Sequence, residues 1–397
     1  MLLAFLAFLV LPALYYRYGW SRVAPWVSIL GDVVILLSFL FIFWVTRFNS
    51  FAASNIRVER DQKVIDTGPY AHVRHPMYGG AIWLFVGMPL ALGSQTNGSI
   101  IRPGSFCGVF AMKPSHGLVS RAGVLPLSRT LDHIGPFARS LEDIALALDV
   151  IAGFDADDPD TRPLAAKNFQ KTTTEKFGLD PRLAFVKTPM WDKADADTRE
   201  AFEDLAKELG EVCFSYDLPA HYASAWASHR AIMATEMAHN LGKLTDQGGD
   251  KVSQQFRELM ADGRKVTATD YLAAVAEGRA MRTAIEELFQ QQCTAIVTPA
   301  ARGVAPKGEA TGDPVFCTFW TLLGLPAITL PLLTGEDDMP LGVQLVGAPG
   351  DDTRLLRTAL GKLLERAGFD RLVERGGMKT AIARSRYSAS GIVAQLV

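Results

Sequence analysis

Two long uncharged stretches near the N-terminus constrain this chain more than any other feature. Residues Met1–Tyr16 carry no charge, and Val27–Val45 carry only Asp32. A bilayer hydrocarbon core about 30 Å thick needs ~20 apolar residues in a helix, so the second run fits a span. The first reaches ~24 Å at the helical rise and reads as a shortened membrane helix. It has neither the basic leader nor the small-residue cleavage site of a signal peptide. Arg47, Arg57, Arg60, Lys63 and Arg74 follow the second run and predict a cytoplasmic loop there. A third apolar run, Met77–Gly93, is interrupted by Gly79, Gly80, Gly87 and Pro89. The expected setting is a lipid bilayer, hence a membrane-associated protein.

Beyond Ser94 the pattern becomes that of an α/β domain. Ser140 is placed to cap a helix with Leu141, Ile144, Leu148 and Ile151 on one face, ended by Gly153. Asp197 is the expected cap of a helix bearing Phe202, Leu205 and Leu209, closed by Gly210. Residues 221–292 show helical patterning with a break at Gly248–Gly249, and a last helix is expected from about Thr353 to Arg366. Leu183–Lys187, Val212–Tyr216, Ala295–Thr298, Ala327–Leu332 and Gly342–Val346 read as strands. Strands alternating with helices predict a wound α/β sheet. The tail 376–397 is weakly patterned. At 397 residues the chain has room for two or three domains.

A net charge of −2 without a basic block argues against a nucleic-acid partner. Cys107, Cys213, Cys293 and Cys317 are far apart and show no metal-ligand spacing, so no metal is expected and reduced, buried thiols are the simpler reading.

The chemistry concentrates in the loop that follows the strand-like run Leu90–Gly93, Gly93-Ser-Gln-Thr-Asn-Gly-Ser99. Small and polar residues let successive N–H groups converge on an anion. Beside a serine hydroxyl, such groups form an oxyanion hole. A polar turn of no catalytic consequence has the same composition. The longer strings GSQTNGSIIRPGSFCGV (93–109), MKPSHGLVSRAGVLPLSRTLDHIGP (112–136) and FARSLEDIALALDVIAGFDADD (137–158) resemble the amidase-signature family. So do Thr298-Pro-Ala300, Thr311-Gly-Asp-Pro314, Trp320–Pro326 and Pro340–Gln344. That resemblance implies C–N amide hydrolysis of a small molecule through a serine acyl-enzyme. Ser99 would be the nucleophile and the amides around Thr96, Asn97 and Gly98 the oxyanion loop, with no cofactor. It also implies a truncated amidase-signature fold over 94–375, and places specificity in the helical stretch Pro219–Gln292. Trp191, Trp226 and Trp320 could line a pocket there, although an aromatic core role suits each better.

In that family a lysine acts through a bridging serine about two dozen residues before the nucleophile. Arg74–Gly80 stands at that distance with no Ser-Gly-Gly-Ser run, and Lys63 is the sole upstream lysine. The resemblance gives Lys113 a structural position. An unassisted serine is a poor nucleophile, so impaired turnover is expected. A histidine base drawn from Asp132-His133 or His116 is a remote alternative.

Residues 55–80, with Thr67-Gly-Pro-Tyr70 and Val73-Arg-His-Pro-Met-Tyr78, resemble the isoprenylcysteine carboxyl methyltransferase and phospholipid methyltransferase group. This implies a membrane fragment over 1–93 and S-adenosylmethionine contacts at His75 and Tyr78. The acidic motif that completes that pocket in the family is replaced here by the hydrolase-like sequence. The two resemblances meet at Gly87–Ser94, a string that suits both. A gene fusion or recombination at this string is the expectation, and a non-catalytic remnant is the third functional reading. One segment cannot face lipid and also pair within a soluble sheet. The oligomeric state is not legible.

Overall fold

The computed structural model describes residues 33, 36, 37 and 40, and residues 90–360 except 164, 166, 176–180 and 308–310. The chain divides into two units, Met1–Pro89 and Leu90–Val397. In the first unit the four described residues are helical, and Val33, Leu36, Leu37 and Leu40 are exposed. Among the described residues no helix is long and apolar enough to cross a membrane. Apart from those four residues of Val27–Val45, the expected membrane helices lie outside the described residues, as do Lys63, His75, Tyr78, the 376–397 tail and the end of the last expected helix.

The second unit is built on an eight-stranded mixed sheet in the order β1-β3-β2-β7-β8-β6-β4-β5. Its strands are β1 (Leu90–Gln95), β2 (Phe110–Lys113), β3 (His133–Ala138), β4 (Leu183–Lys187), β5 (Cys213–Asp217), β6 (Ala295–Pro299), β7 (Ala327–Thr334) and β8 (Pro340–Val346). The β6–β4 and β4–β5 pairs are parallel and all the others antiparallel. Alternation along each strand feeds two cores. Leu183 and Phe185 of β4 join one core, whereas Ala184 and Val186 join the other.

The first core is covered by α2 (Leu141–Ile151), α3 (Phe169–Thr174), α4 (Ala196–Leu209) and α9 (Asp352–Thr358). The opposite face is covered by α1 (Ile101–Cys107), α5 (Ser224–Gly248), α7 (Ala268–Gln291) and α8 (Val315–Leu322). Helix α6 (Gln254–Lys265) packs on α5 through Met260 against Met237 and Leu241. The result is a three-layer α/β/α sandwich. Each fully buried Leu or Phe in it contributes about 1.5–3 kcal/mol.

Local chemistry explains the element ends. Ser140 accepts from the Asp143 N–H and starts α2 as its spacing predicts. The cap expected from Asp197 is corrected: α4 starts at Ala196 with Asp195 at the cap position, and Asp197 lies in the first turn. There its carboxylate accepts the Glu336 N–H at 2.9 Å, so a tertiary contact takes the group that spacing assigned to the helix end. Residues 221–292 are mostly helical, broken by a 3-10 turn at Gly249–Lys251 between α5 and α6 and by Val266–Thr267 between α6 and α7.

The contested string now has a place. Leu90–Gln95 pairs antiparallel with β3 from Leu90↔Ala138 to Gln95↔His133. Residues 90–94 are therefore sheet, and only 87–89 of the shared string fall outside the described residues.

Candidate active site

The loop after β1 turns through Thr96, Asn97, Gly98 and Ser99 and enters α1 at Ile101. Pro103 falls in the first turn of this helix, where a missing N–H breaks no intrahelical bond. Gly108 ends the helix with φ 63°, and its N–H caps the Gly104 and Ser105 carbonyls. Gly104 lets α1 lie on the sheet, because a Cβ there would stand 2.6 Å from Ala111 Cβ and from Thr329 Cγ2.

Ser99 is partly exposed, whereas Thr96 and Gly98 are buried. The loop is held from several directions. Gln95 Oε1 accepts the N–H groups of Ile100 (2.8 Å) and Ile101 (3.0 Å), tying the start of α1 back to the end of β1. Gln95 Nε2 donates to Thr321 Oγ1 at 2.9 Å, and that hydroxyl donates to the Asn97 carbonyl at 2.7 Å. Thr318 Oγ1 donates to Asn97 Oδ1 at 2.7 Å. The Gly98 carbonyl accepts the Arg102 N–H at 3.1 Å. Gly98 is wedged against α8: a Cβ there would stand 2.8 Å from Pro314 Cβ and 3.2 Å from Cys317 Cβ. Thr96 Oγ1 donates to Asp132 Oδ1 at 2.6 Å, and His229 Nε2 donates to the Thr96 carbonyl at 3.0 Å. Among the described residues, no hydrogen-bond partner engages the Ser99 hydroxyl or the N–H groups of Thr96, Asn97 and Gly98.

The titratable groups nearby are committed elsewhere. Asp132 Oδ2 accepts the Leu127 and Ser128 N–H groups, both at 2.9 Å. Burial still lifts its carboxyl above the ordinary range. His133 donates Nδ1–H to the Leu131 carbonyl at 2.6 Å, and burial, with Lys113 adding to it, drives its pKa well below the usual value. His116 lies 3.0 Å from the Arg129 carbonyl and stacks edge-on against His133 at 5.2 Å. Neither ring bonds to Ser99 or to the Asp132 carboxylate, so the Ser–His–Asp alternative has no support in the geometry. Lys113 is wholly buried on β2 and donates Nζ to the Leu325 carbonyl. Among the described residues no lysine reaches Ser99 through a hydroxyl. Burial lowers Lys113 to about 7, against an opposing pull from Asp352.

A cavity of about 280 Å³ is lined by Ser94, Leu125, Arg129, Asp132, Ile134 and Asn240 among others, and none of residues 96–99 lines it. Its wall is stiffened by Arg121. The guanidinium donates to both Asp158 carboxylate oxygens (3.0 and 2.7 Å) and to Asp160 (2.5 Å).

The tryptophans take core roles. Trp320 is fully buried, Trp226 stacks on Phe319 at 5.9 Å, and Trp191 meets Phe185 edge-on at 5.4 Å. The four cysteines are free thiols, two buried and two half-buried. Among the described residues no His/Cys/Asp/Glu group could hold a metal. Sequence reading drew attention to Ser99 and its neighbours but missed the roles of His229, Thr318 and Thr321 on distant helices; Thr321 lies inside the family-like string Trp320–Pro326, whereas His229 and Thr318 lie in none.

The profile described as Amidase matches residues 84–356, and that described as Phospholipid methyltransferase matches residues 26–113. A glutamyl-tRNA(Gln) amidotransferase subunit from Thermodesulfovibrio yellowstonii (strain ATCC 51303 / DSM 11347 / YP87) is 32% identical over 305 residues, covering 68% of this chain and 62% of that protein. The chain thus spans about 62% of the length of such curated relatives. Among solved structures, one of a vestigial protein complex bearing on the origins of an s-triazine catabolic enzyme aligns with TM-score 0.64 and 28% identity, covering 74% of this chain and 66% of that one. The structure of 6-aminohexanoate cyclic dimer hydrolase aligns with TM-score 0.63 and 25% identity, covering 73% and 67%.

Proposed function

The chain belongs to the amidase family over residues 84–356, and from that membership we propose that it cleaves the C–N bond of a small amide through an acyl-enzyme on Ser99. What supports the proposal is that Ser99 is partly exposed and follows directly on Thr96, Asn97 and Gly98, whose N–H groups have no protein acceptor among the described residues. In the proposed reaction Ser99 Oγ attacks the amide carbonyl carbon. The oxygen gains negative charge and is met by the loop amides. The C–N bond then breaks, the amine leaves with a proton, and water hydrolyses the ester to free the acid and restore the serine.

Turnover is proposed to be slow. No Ser-Gly-Gly-Ser run stands at the bridging serine's distance before Ser99, Lys63 is the sole lysine in residues 1–98, and Lys113, His116 and His133 are engaged away from Ser99. A missing general base costs about 10²–10⁴ in rate. The test is labelling of the full-length chain with a fluorophosphonate, with the modified residue located by mass spectrometry. Labelling at Ser99 that vanishes in Ser99→Ala is expected, with weak hydrolysis of simple amides. Labelling no greater than in the variant refutes the reading.

The match of residues 26–113 to phospholipid methyltransferases favours a second reading. S-adenosylmethionine bound near His75 and Tyr78, with residues 1–93 on a lipid bilayer, is the corresponding proposal. Both residues lie outside the described set, and no step is derived through the cofactor. The far end of the match, residues 90–113, is occupied by β1, α1 and β2 of the hydrolase sheet. Saturable S-adenosylmethionine binding in lipid, weakened by His75→Ala, tests it.

A further inference from the structure

We infer that His229 and Thr321 are positioning residues of the oxyanion loop, acting on its N–H groups through the carbonyls of Thr96 and Asn97. The inference rests on the reading of Ser99 as nucleophile and deepens it.

The argument begins with the peptide unit. A trans peptide is planar, so the N–H of one residue points opposite to the carbonyl of the residue before it. No described peptide bond is cis. Fixing a carbonyl therefore fixes the direction of the next N–H. The Thr96 carbonyl is held by His229 Nε2–H at 3.0 Å, which turns the Asn97 N–H away from α5. The Asn97 carbonyl is held by Thr321 Oγ1 at 2.7 Å, which turns the Gly98 N–H away from α8. The Gly98 carbonyl is held by the Arg102 N–H at 3.1 Å, which turns the Ser99 N–H away from α1. Three successive amides are thus oriented by three different helices. The Thr96 N–H is outside this set.

The two side chains suit the task. His229 is 1% exposed on α5, and its bond to a carbonyl requires the proton on Nε2. Burial lowers its pKa to about 4, so the ring stays neutral near pH 7 and brings no buried charge to the loop. Thr321 is fully buried, and its hydroxyl accepts from Gln95 Nε2, which leaves its single proton for the Asn97 carbonyl. Oxyanion stabilisation depends on donors aimed before the charge develops, and neither residue needs to touch the substrate to provide this.

The test uses the full-length chain and four variants: His229→Phe, His229→Gln, Thr321→Val and Thr321→Ser. Gln and Ser keep a donor, whereas Phe and Val keep shape alone. Two quantities are read: the fluorophosphonate acylation rate at Ser99, and reversible binding of an uncharged amide. Expected is a fall in acylation of about tenfold or more in Phe and Val, partial recovery in Gln and Ser, and unchanged amide binding. Acylation at the wild-type rate in folded Phe and Val variants overturns the inference. So does an equal loss in the donor-keeping variants.

If the wild type is not acylated above Ser99→Ala, the nucleophile reading has failed on its own. The orienting role is then judged by amide hydrogen exchange across residues 96–99. Faster exchange in Phe and Val, but not in Gln and Ser, supports it, and equal exchange in all four refutes it.

Discussion

Thr96 Oγ1 donates to the Asp132 carboxylate at 2.6 Å, joining the loop that carries Ser99 to the turn that begins β3. The same carboxylate receives the Leu127 and Ser128 amides on its other oxygen. Asp132 is thus a hub for main-chain and hydroxyl donors, with no bond to a histidine. In Asp132→Asn the amide oxygen can still accept from Leu127 and Ser128, but the NH2 then faces the Thr96 hydroxyl, which must turn from donor to acceptor, and all three bonds lose their charged acceptor. The expected cost is about 1–3 kcal/mol, measured by urea unfolding. A loss of acylation without loss of stability would instead point to a direct part in the chemistry.

Gly98→Ala places a Cβ 2.8 Å from Pro314 Cβ and 3.2 Å from Cys317 Cβ. Neither neighbour is the free end of a flexible chain, so the loop itself must move. Overpacking of this kind costs about 1–3 kcal/mol. Ser99 acylation, followed by probe labelling, is expected to be nearly abolished in the folded variant. Labelling at the wild-type rate would show that the loop tolerates displacement.

Arg121 is largely buried against Asp158 and Asp160, and the guanidinium holds the Asp158 carboxyl far below the usual range. Removing one partner strands the others, at about 3–5 kcal/mol for a buried pair. Arg121→Met should therefore lower the urea midpoint strongly. Because Asp158 has a lowered pKa, its contribution is present above the unfolded value and is lost as pH falls. Wild type and variant should converge in stability towards acid pH.

Lys113 gives the opposite kind of pH dependence from a surface lysine. Its pKa is about 7 in the fold, lowered by burial from 10.5. Between those values the unfolded chain binds more protons, so stability rises with pH from about 7 to 10.5 and is flat below. Urea unfolding at pH 7 and 9.5 should show this rise in the wild type and lose it in Lys113→Met. Parallel pH dependences in the two proteins would mean that the ammonium is solvated.

Much of the sheet was legible because buried strands leave short apolar runs. Leu183–Lys187 matches β4 residue for residue, and Ala295–Thr298, Ala327–Leu332 and Gly342–Val346 fall inside β6, β7 and β8. Strand β3 escaped because Gly135 and Pro136 read as breakers. The β2 ladder runs only through Phe137 and Ala138, so the missing N–H of Pro136 breaks no bond to β2. Helix α8 escaped for a different reason: all eight of its residues are buried, Thr318 and Thr321 included, so it has no solvent face to set an amphipathic period.

The sequence by itself determined the nucleophile candidate, the small-residue loop beside it, the helical stretch 221–292 and the compositional divide before Ser94. These depend on residue type and near-neighbour spacing, which a linear string records. Only the tertiary structure decided what holds the loop. His229 lies 133 positions from Thr96, and Thr321 lies 224 from Asn97. Those pairings follow from the strand order and from which helix covers which face. A main-chain carbonyl accepts any correctly placed donor, so the choice of donor leaves no spacing signal in the chain.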